Sequence, residues 1–318
     1  MIDSHGREID YLRLSVTDLC NLRCLYCMPK GVIPKRSHEE IMTFEEIEIV
    51  VKVLAGLGIK KLRITGGEPL VRRGVIHLIE KLKRLEGIDE IDITTNGILL
   101  EKYALDLKRV GISRVNISLD TLNADRYKKL TQGGDLKNVI AGISAAKENN
   151  LTPIKINSVL MKTTSAEEVR EFADFAAEHD LEVRFIELMP LGETAEFAKD
   201  NYKEGSYILE ILKDRLEDEI PRGSSPAQVF NLRGNRGKIG IISPLSCNFC
   251  SECNRLRLTS DGKLRTCLHS NNDLDLKKHL RSGIDIYELL KSAILNKEKE
   301  HKIESDIYSL KNMNRIGG

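Results

Sequence analysis

Apolar and polar residues alternate one by one in a series of short segments along the first 190 residues. In residues 11–16, Leu12, Leu14 and Val16 alternate with Arg13 and Ser15. In 60–65, Leu62 and Ile64 alternate with Lys61, Arg63 and Thr65, and in 90–95, Ile91 and Ile93 alternate with Asp92 and Thr94. In 114–120, Val115, Ile117 and Leu119 alternate with Asn116, Ser118 and Asp120. In 153–160, Ile154 and Ile156 alternate with Lys155 and Asn157, and in 182–189, Val183 and Phe185 flank Arg184. A period of two marks β-strands. Between these segments lie stretches of helical period, such as 43–57, with Phe44, Ile47, Val51 and Leu54 on one face. Thr43 with Glu46, and Ser165 with Glu168, have the spacing of capping boxes that open two of these helices. Repeated strand–helix units predict an α/β fold, a parallel sheet or barrel with an outer layer of helices.

The alternation carries a second message. Parallel strands covered on both faces are nearly continuous apolar runs. Here each strand has one apolar face for the helices and one polar face. In a barrel that polar face lines the lumen, which must then hold a polar ligand or water, because buried unpaired charge is costly. Arg13, Lys61, Arg63, Lys155 and Arg184 on this face outnumber Asp92, Asp120 and Glu182. An excess of cations suits a polyanion such as a phosphate ester. The alternative is that the cations pair with those acids or point outward at strand ends.

After about residue 189 the rhythm fades. Residues 192–205 read as a loop, and 222–226 and 234–237 are turn-rich. Residues 238–242 and 256–260 read as strands, with Asp261-Gly262 as a tight turn. Residues 284–294 form a final amphipathic helix, and the charged run 296–302 reads as a solvated helix face.

The 318 residues are 41% hydrophobic and 31% charged, which excludes a disordered chain. No window of about 18 uncharged apolar residues exists to span a bilayer. Residues 1–10 lack the form of a signal peptide. The expectation is a soluble, cytoplasmic protein. A net charge of +1 gives no bulk attraction to nucleic acid or anionic lipid.

Seven cysteines fall in two groups: Cys20, Cys24 and Cys27 as C-x3-C-x2-C, and Cys247, Cys250, Cys253 and Cys267 near the end. Clustered cysteines in an intracellular chain point to metal or redox chemistry. Structural zinc takes four closed ligands, whereas three thiolates can hold three irons of a [4Fe–4S] cube and leave the fourth open. Zinc and inert thiols are the alternatives.

The run Cys20-Asn21-Leu22-Arg23-Cys24-Leu25-Tyr26-Cys27 resembles the defining motif of the radical S-adenosylmethionine (SAM) enzymes. Thr65-Gly66-Gly67-Glu68-Pro69, Thr94-Thr95-Asn96-Gly97 and Ser118-Leu119-Asp120 are similar to motifs at successive strand ends in that superfamily. Cys250-Ser251-Glu252-Cys253-Asn254-Arg255-Leu256-Arg257, Cys267 and the ending Arg315-Ile316-Gly317-Gly318 resemble the GTP 3′,8-cyclase family. The resemblance covers essentially the whole chain.

It implies an incomplete (β/α)6 TIM-like radical SAM barrel over residues 1–230. A C-terminal auxiliary-cluster extension, residues 231–318, is expected to close the barrel. The implied reaction is a lyase reaction, the first step of molybdenum cofactor biosynthesis. It cyclises GTP to (8S)-3′,8-cyclo-7,8-dihydroguanosine 5′-triphosphate through a 5′-deoxyadenosyl radical. By the resemblance, Cys20, Cys24 and Cys27 hold one [4Fe–4S] cluster, whose open iron binds SAM. Cys250, Cys253 and Cys267 hold a second cluster, whose open iron faces the guanine. Tyr26, Gly67, Ser118 and Met189 match positions of the SAM pocket. Arg13, Arg63, Thr94, Lys155, Arg255, Leu256 and Arg257 match GTP-contacting positions, Leu256 through its main chain, with Lys61 and Arg184 as helpers. No side chain is assigned as acid or base. The tail glycines Gly317 and Gly318 are expected to thread into the barrel mouth and help place the radical. The family pattern does not require Cys247, which is expected to be a free, partly buried thiol rather than a fourth ligand. The implied partners are GTP, an external electron donor and a downstream pterin-forming synthase, with no nucleic acid and no membrane; the chain is expected to be a monomer or homodimer. Two rivals remain at this point: another auxiliary-cluster radical SAM enzyme acting on a peptide or small molecule, and a non-catalytic iron–sulfur electron carrier.

Overall fold

The alternating segments pair side by side in the order in which they occur. In the computed structural model, which describes residues 1–28, 36–221, 225–247, 249–301, 303 and 308–318, six strands run parallel in sequence order. They are β1 (Tyr11–Ser15), β2 (Lys61–Thr65), β3 (Glu90–Thr95), β4 (Val115–Ser118), β5 (Ile154–Leu160) and β6 (Glu182–Glu187). The later part of the chain adds strands at both edges. Beyond β6 come β9 (Lys238–Ile242), parallel to it, and the antiparallel pair β8 (Gln228–Leu232) and β7 (Leu216–Ile220). Beyond β1 come β10 (Arg255–Leu258), parallel to it, then antiparallel β11 (Lys263–Arg265) and β12 (Leu274–Asp275). The result is a mixed α/β fold whose core is a parallel sheet, with antiparallel strands in its C-terminal extension.

Register keeps like faces together. Leu12 is opposite Leu62 and Leu256, while Arg13 is opposite Arg63 and Arg257. The apolar face is sealed by helices. Leu12, Leu14, Leu62 and Ile64 are fully buried, each contributing about 1.5–3 kcal/mol. Helix α1 (Phe44–Gly56) turns Ile47, Val50, Val51 and Leu54 inward, and α2 (Val75–Lys83) turns in Val75, Leu78, Ile79 and Leu82. Both expected capping boxes form: Thr43 and Glu46 exchange side-chain bonds with each other's backbone N–H groups, as do Ser165 and Glu168. No helix among the described residues is long and apolar enough to cross a membrane.

The later region departs from the expectations in several places. The segment 192–205, expected as a loop, contains the helix Ala195–Asn201, whose Ala198 packs with Leu130, Met161 and Leu188. The helix expected at 284–294 runs Tyr287–Leu295, and a further helix, Met313–Ile316, follows it. In the run 296–302, expected as a solvated helix face, Lys297 is buried, because its ammonium donates to the Thr266 carbonyl. Lys302 and residues 222–224 of the turn-rich stretch lie outside the described residues.

One close approach fixes the entrance to the first cysteine group. After β2, the Gly67 N–H donates to the Thr17 carbonyl (2.7 Å) and the Glu68 N–H to the Leu19 carbonyl (2.8 Å). A Cβ on Gly67 would stand 2.3 Å from the Leu19 carbonyl oxygen and 2.9 Å from that of Asp18. These are backbone atoms with no rotamer to change. Glu68 is fully buried and accepts from the Leu70 N–H, the Thr95 hydroxyl and the Asn96 N–H, tying the ends of β2 and β3 together. We expect Gly67→Ala to lower unfolding free energy by about 2 kcal/mol, an overpacking cost, measured by denaturant unfolding of the metal-free chain. Unchanged stability would mean that the 17–19 segment is not held by this contact.

Candidate active site

The polar strand faces enclose a cavity of about 660 Å³. Its wall includes Arg13, Lys61, Arg63, Thr94, Asn116, Ser118, Lys155, Asn157 and Arg184 of the alternation expected to face inward, whereas Asp92, Asp120 and Glu182, expected on the same face, are not among the lining residues. Cys20, Cys24 and Cys27 line the same space, as do Cys250, Cys253 and Cys267. Both cysteine groups therefore open onto one chamber. Cys247 is not among the lining residues and is exposed, not partly buried as expected. It sits in a turn whose N–H bonds back to the Ser243 carbonyl, which leaves its side chain outside.

The first group sits on the loop after β1. The Arg23 and Leu25 N–H groups donate to the carbonyls of Thr131 and Leu130 at the end of the helix Ala124–Thr131, and Cys27 N–H closes back on the Cys24 carbonyl. The Asn96 amide bonds Asn21 at 2.7 Å and reaches the Cys20 sulfur at 3.8 Å. The Tyr26 hydroxyl donates to Asp120 at 2.8 Å. Burial pushes the Cys24 thiol well above its ordinary value, with Asp120 and the other two thiols adding to the effect. Burial, with Cys20 beside it, pushes Cys27 up to about 12. Three thiolates cannot coexist there without a cation among them; iron supplies that charge, so this donor set fits a cluster. Among the described residues no three His, Cys, Asp or Glu side chains meet as ligands of a single metal ion. A cube takes one thiolate per iron.

In the second group the charges differ. Burial alone would raise the Cys253 thiol, but Arg255 and Lys297 bring it down to about 6. Cys253 is thereby ready to bind iron as thiolate.

Between the two groups lies a belt of cations. Of the charged lining residues, Arg13, Lys61, Arg63, Arg114, Lys155, Arg184, Arg255 and Arg257 face only Glu90 and Glu187. Part of the belt is paired. Arg63 and Arg114 bond Asp92 at 2.9 and 2.8 Å, and Lys155 and Arg184 share Glu182 at 3.2 and 2.5 Å. Among the described residues Arg13, Arg255 and Arg257 form no salt bridge. Burial, with Arg63 and Arg255 nearby, draws Arg13 down to about 10. Burial and the neighbouring Arg13 and Arg255 hold Arg257 well below the ordinary guanidinium range. Burial and Arg184 bring Lys155 to about 8. Arg13 Nε, Arg63 Nε, Thr94 Oγ1 and the side-chain oxygens of Asn116 and Asn157 are buried without partners. Such a wall stores electrostatic repulsion that a polyanion relieves. The two sequence alternatives for the cations thus both hold, for different residues.

Tyr26, Gly67, Ser118 and Met189 line the chamber on the side of the first cysteine group or beside it. The Leu256 side chain is fully buried on the opposite face of β10, so only its backbone is near the belt. The end of the chain enters the mouth. Arg257 donates to the Gly317 carbonyl at 2.6 Å, and Gly318 lines the cavity. A Cβ on Gly317 would meet Ser15 Cβ at 2.7 Å and Thr65 Oγ1 at 2.8 Å, and its φ is +92°, so glycine is needed twice over. Sequence reasoning missed Arg114, although it is in phase with Asn116 and Ser118. It also missed His269, buried in the chamber wall against His301 with ring centroids 5.7 Å apart. Its position two residues after Cys267 was the available signal.

Comparison with known proteins agrees with this geometry. Residues 14–176 match the model of the Radical SAM superfamily, and residues 181–303 match that of Molybdenum Cofactor Synthesis C. The GTP 3′,8-cyclase of Peptoclostridium acidaminophilum is 46% identical over all of this chain and 98% of its own length. That of Alkaliphilus oremlandii is 46% identical over all of both chains. Among solved structures, Streptococcus suis SuiB bound to S-adenosylmethionine superposes with a TM-score of 0.59 at 17% identity, over 89% of this chain. This chain spans only 65% of that structure's length, and the likeness is one of fold. The chain belongs to the radical SAM superfamily and, within it, to the GTP 3′,8-cyclase family.

Proposed function

We propose that this chain cyclises GTP to 3′,8-cyclo-7,8-dihydroguanosine 5′-triphosphate, the first step of molybdenum cofactor biosynthesis. Superfamily membership implies SAM and one [4Fe–4S] cluster. When bound, these supply a 5′-deoxyadenosyl radical that removes hydrogen from the ribose. The observation that carries the substrate reading is the cation belt set between two cysteine groups in one chamber.

In this proposal Cys20, Cys24 and Cys27 hold the first cluster, with Tyr26, Gly67, Ser118 and Met189 around SAM. Cys250, Cys253 and Cys267 hold a second [4Fe–4S] cluster at the guanine end. Arg13, Arg63, Lys155, Arg255 and Arg257 grip the triphosphate, and Thr94 the sugar side, with Lys61, Arg114 and Arg184 completing the field. Fixing both ends of the nucleotide holds C3′ and C8 in line and keeps water out, which is the larger part of what the protein contributes. The residues 1–230 carry the SAM chemistry, and 231–318 supply the second cluster and the tail. The reaction calls for an external one-electron donor, and its product passes to a pterin-forming synthase in the cytoplasm.

Anaerobically reconstituted protein with reductant and SAM should form 5′-deoxyadenosine and a mass-conserved cyclised nucleotide with GTP but not with ATP. SAM cleavage with no change in GTP would overturn the substrate assignment. In the same assay a chain ending at Ile316 should keep its iron and lose cyclisation; normal cyclisation would remove the tail from the mechanism.

Lys155 gives a pH signature. With its pKa drawn down to about 8 in the free protein, the ammonium is lost as pH rises past that value, whereas a bound phosphate pulls the proton back. Nucleotide binding therefore takes up a proton at high pH and weakens by up to about tenfold per pH unit above that point. Lys155→Arg should flatten the profile, as read by calorimetry in buffers of different ionisation heat. A wild-type affinity that stays constant to pH 9.5 would contradict this.

A further inference from the structure

The first nine residues contain a buried ion pair that the chemistry described so far does not use. Asp3 and Arg7 are both buried, and the Arg7 Nε donates to Asp3 Oδ2 at 2.7 Å. Asp3 Oδ1 accepts from the N–H groups of His5 and Arg7, closing a tight loop around Gly6. The remaining donors of the guanidinium go to main-chain carbonyls of two distant segments. Nη1 donates to Cys250 at 2.9 Å and Lys299 at 3.0 Å, and Nη2 to Glu298 at 2.8 Å and Lys297 at 3.2 Å. All five N–H donors of an arginine are thereby spent, in a fork that a lysine cannot reproduce.

The strap 297–299 reaches onward to the other cysteine segment. The Lys297 ammonium donates to the Thr266 carbonyl, and the Thr266 hydroxyl donates to the Glu298 carboxylate at 2.6 Å. Thr266 directly precedes Cys267. One guanidinium therefore bonds the backbone of Cys250 and, through two residues of the strap, the backbone beside Cys267. The loop that bears Cys250 and Cys253 and the strand end that bears Cys267 leave the open end of the β10–β11 hairpin, whose last paired residues are Arg257 and Arg265, and the Arg7 bonds act on them beyond that pairing. A buried guanidinium is costly to place, and a purely local fold of residues 1–10 would not need one aimed at Cys250.

We propose that Arg7 is a positioning residue for the second cluster, setting the separation of the Cys250–Cys253 loop from Cys267 by gripping the Cys250 carbonyl and the strap 297–299. Asp3 orients it. The proposal rests on the second-cluster assignment made above and on nothing about the first.

Two full-length backgrounds separate the possibilities. One carries Cys20→Ala, Cys24→Ala and Cys27→Ala, so that only the second group can bind iron; the other carries Cys250→Ala, Cys253→Ala and Cys267→Ala. Each is reconstituted anaerobically with iron and sulfide, with Arg7 intact and with Arg7→Lys, and read by iron and sulfide content and by the electron paramagnetic resonance spectrum after reduction. With Arg7 intact each background should hold about four irons. Arg7→Lys should lower the iron of the second site at least twofold and shift the spectrum of what remains, while the first site keeps its full iron, which shows that the chain is folded. Asp3→Asn should give a smaller loss in the same direction. Full iron and an unchanged spectrum at the second site overturn the proposal, and so does an equal loss at both sites. If the second site binds no iron even with Arg7 intact, the second-cluster assignment itself fails and takes the proposal with it, an outcome visible before Arg7 is changed.

Discussion

Arg257, Arg13 and Arg63 stand side by side on three neighbouring strands, with Asp92 on the fourth, because register in a parallel sheet places them at one level. Only the last of these guanidiniums has a carboxylate against it. Repulsion among buried cations is unfavourable by several kcal/mol per ion in the absence of a counter-charge. The sheet tolerates it because the opposite face of the same strands buries Leu12, Leu14, Leu62, Ile64 and Leu256 completely. Alternation thus ties stability and function to the same short strands: one face stabilises the fold, and the other accepts destabilisation that an anionic ligand offsets.

From that row the rest of the site follows by position. Active sites in barrels of this kind sit at the C-terminal ends of the strands, and there the loop after β1 carries the first cysteines while the glycine pair after β2 clamps that loop's backbone. The later part of the chain completes the chamber from the other side. β10 adds Arg255 and Arg257 to the belt through its pairing with β1, and the same segment brings Cys250 and Cys253 to the wall. The tail then occupies the mouth, held by one of those arginines.

Much of this was legible in the sequence because a strict period of two leaves few choices. A register slip would turn every cation outward and every leucine inward to water, so the lumen residues could be named before any coordinates. The cysteine triplet and the Thr-Gly-Gly-Glu-Pro turn were legible because their chemistry restricts residue type. The strands β7, β8, β11 and β12 were not, since short edge strands in a region rich in turns carry little alternation. Lys297 read as surface because a charged run is normally solvated; its burial depends on Thr266, thirty-one residues away. Arg7 was invisible for the same reason, as its carbonyl partners lie some 240 to 290 residues downstream.

The claim on which the account turns is that the belt of unpaired and half-paired cations exists to hold a chain of phosphates. Calorimetric titration of the reconstituted, oxygen-free protein with GTP, GDP and GMP tests it most directly. The account predicts a loss of at least about tenfold in affinity for each phosphate removed, as charge-assisted bonds disappear in turn. Equal affinity for all three nucleotides would contradict it, and would move recognition to the base and the second cysteine group alone.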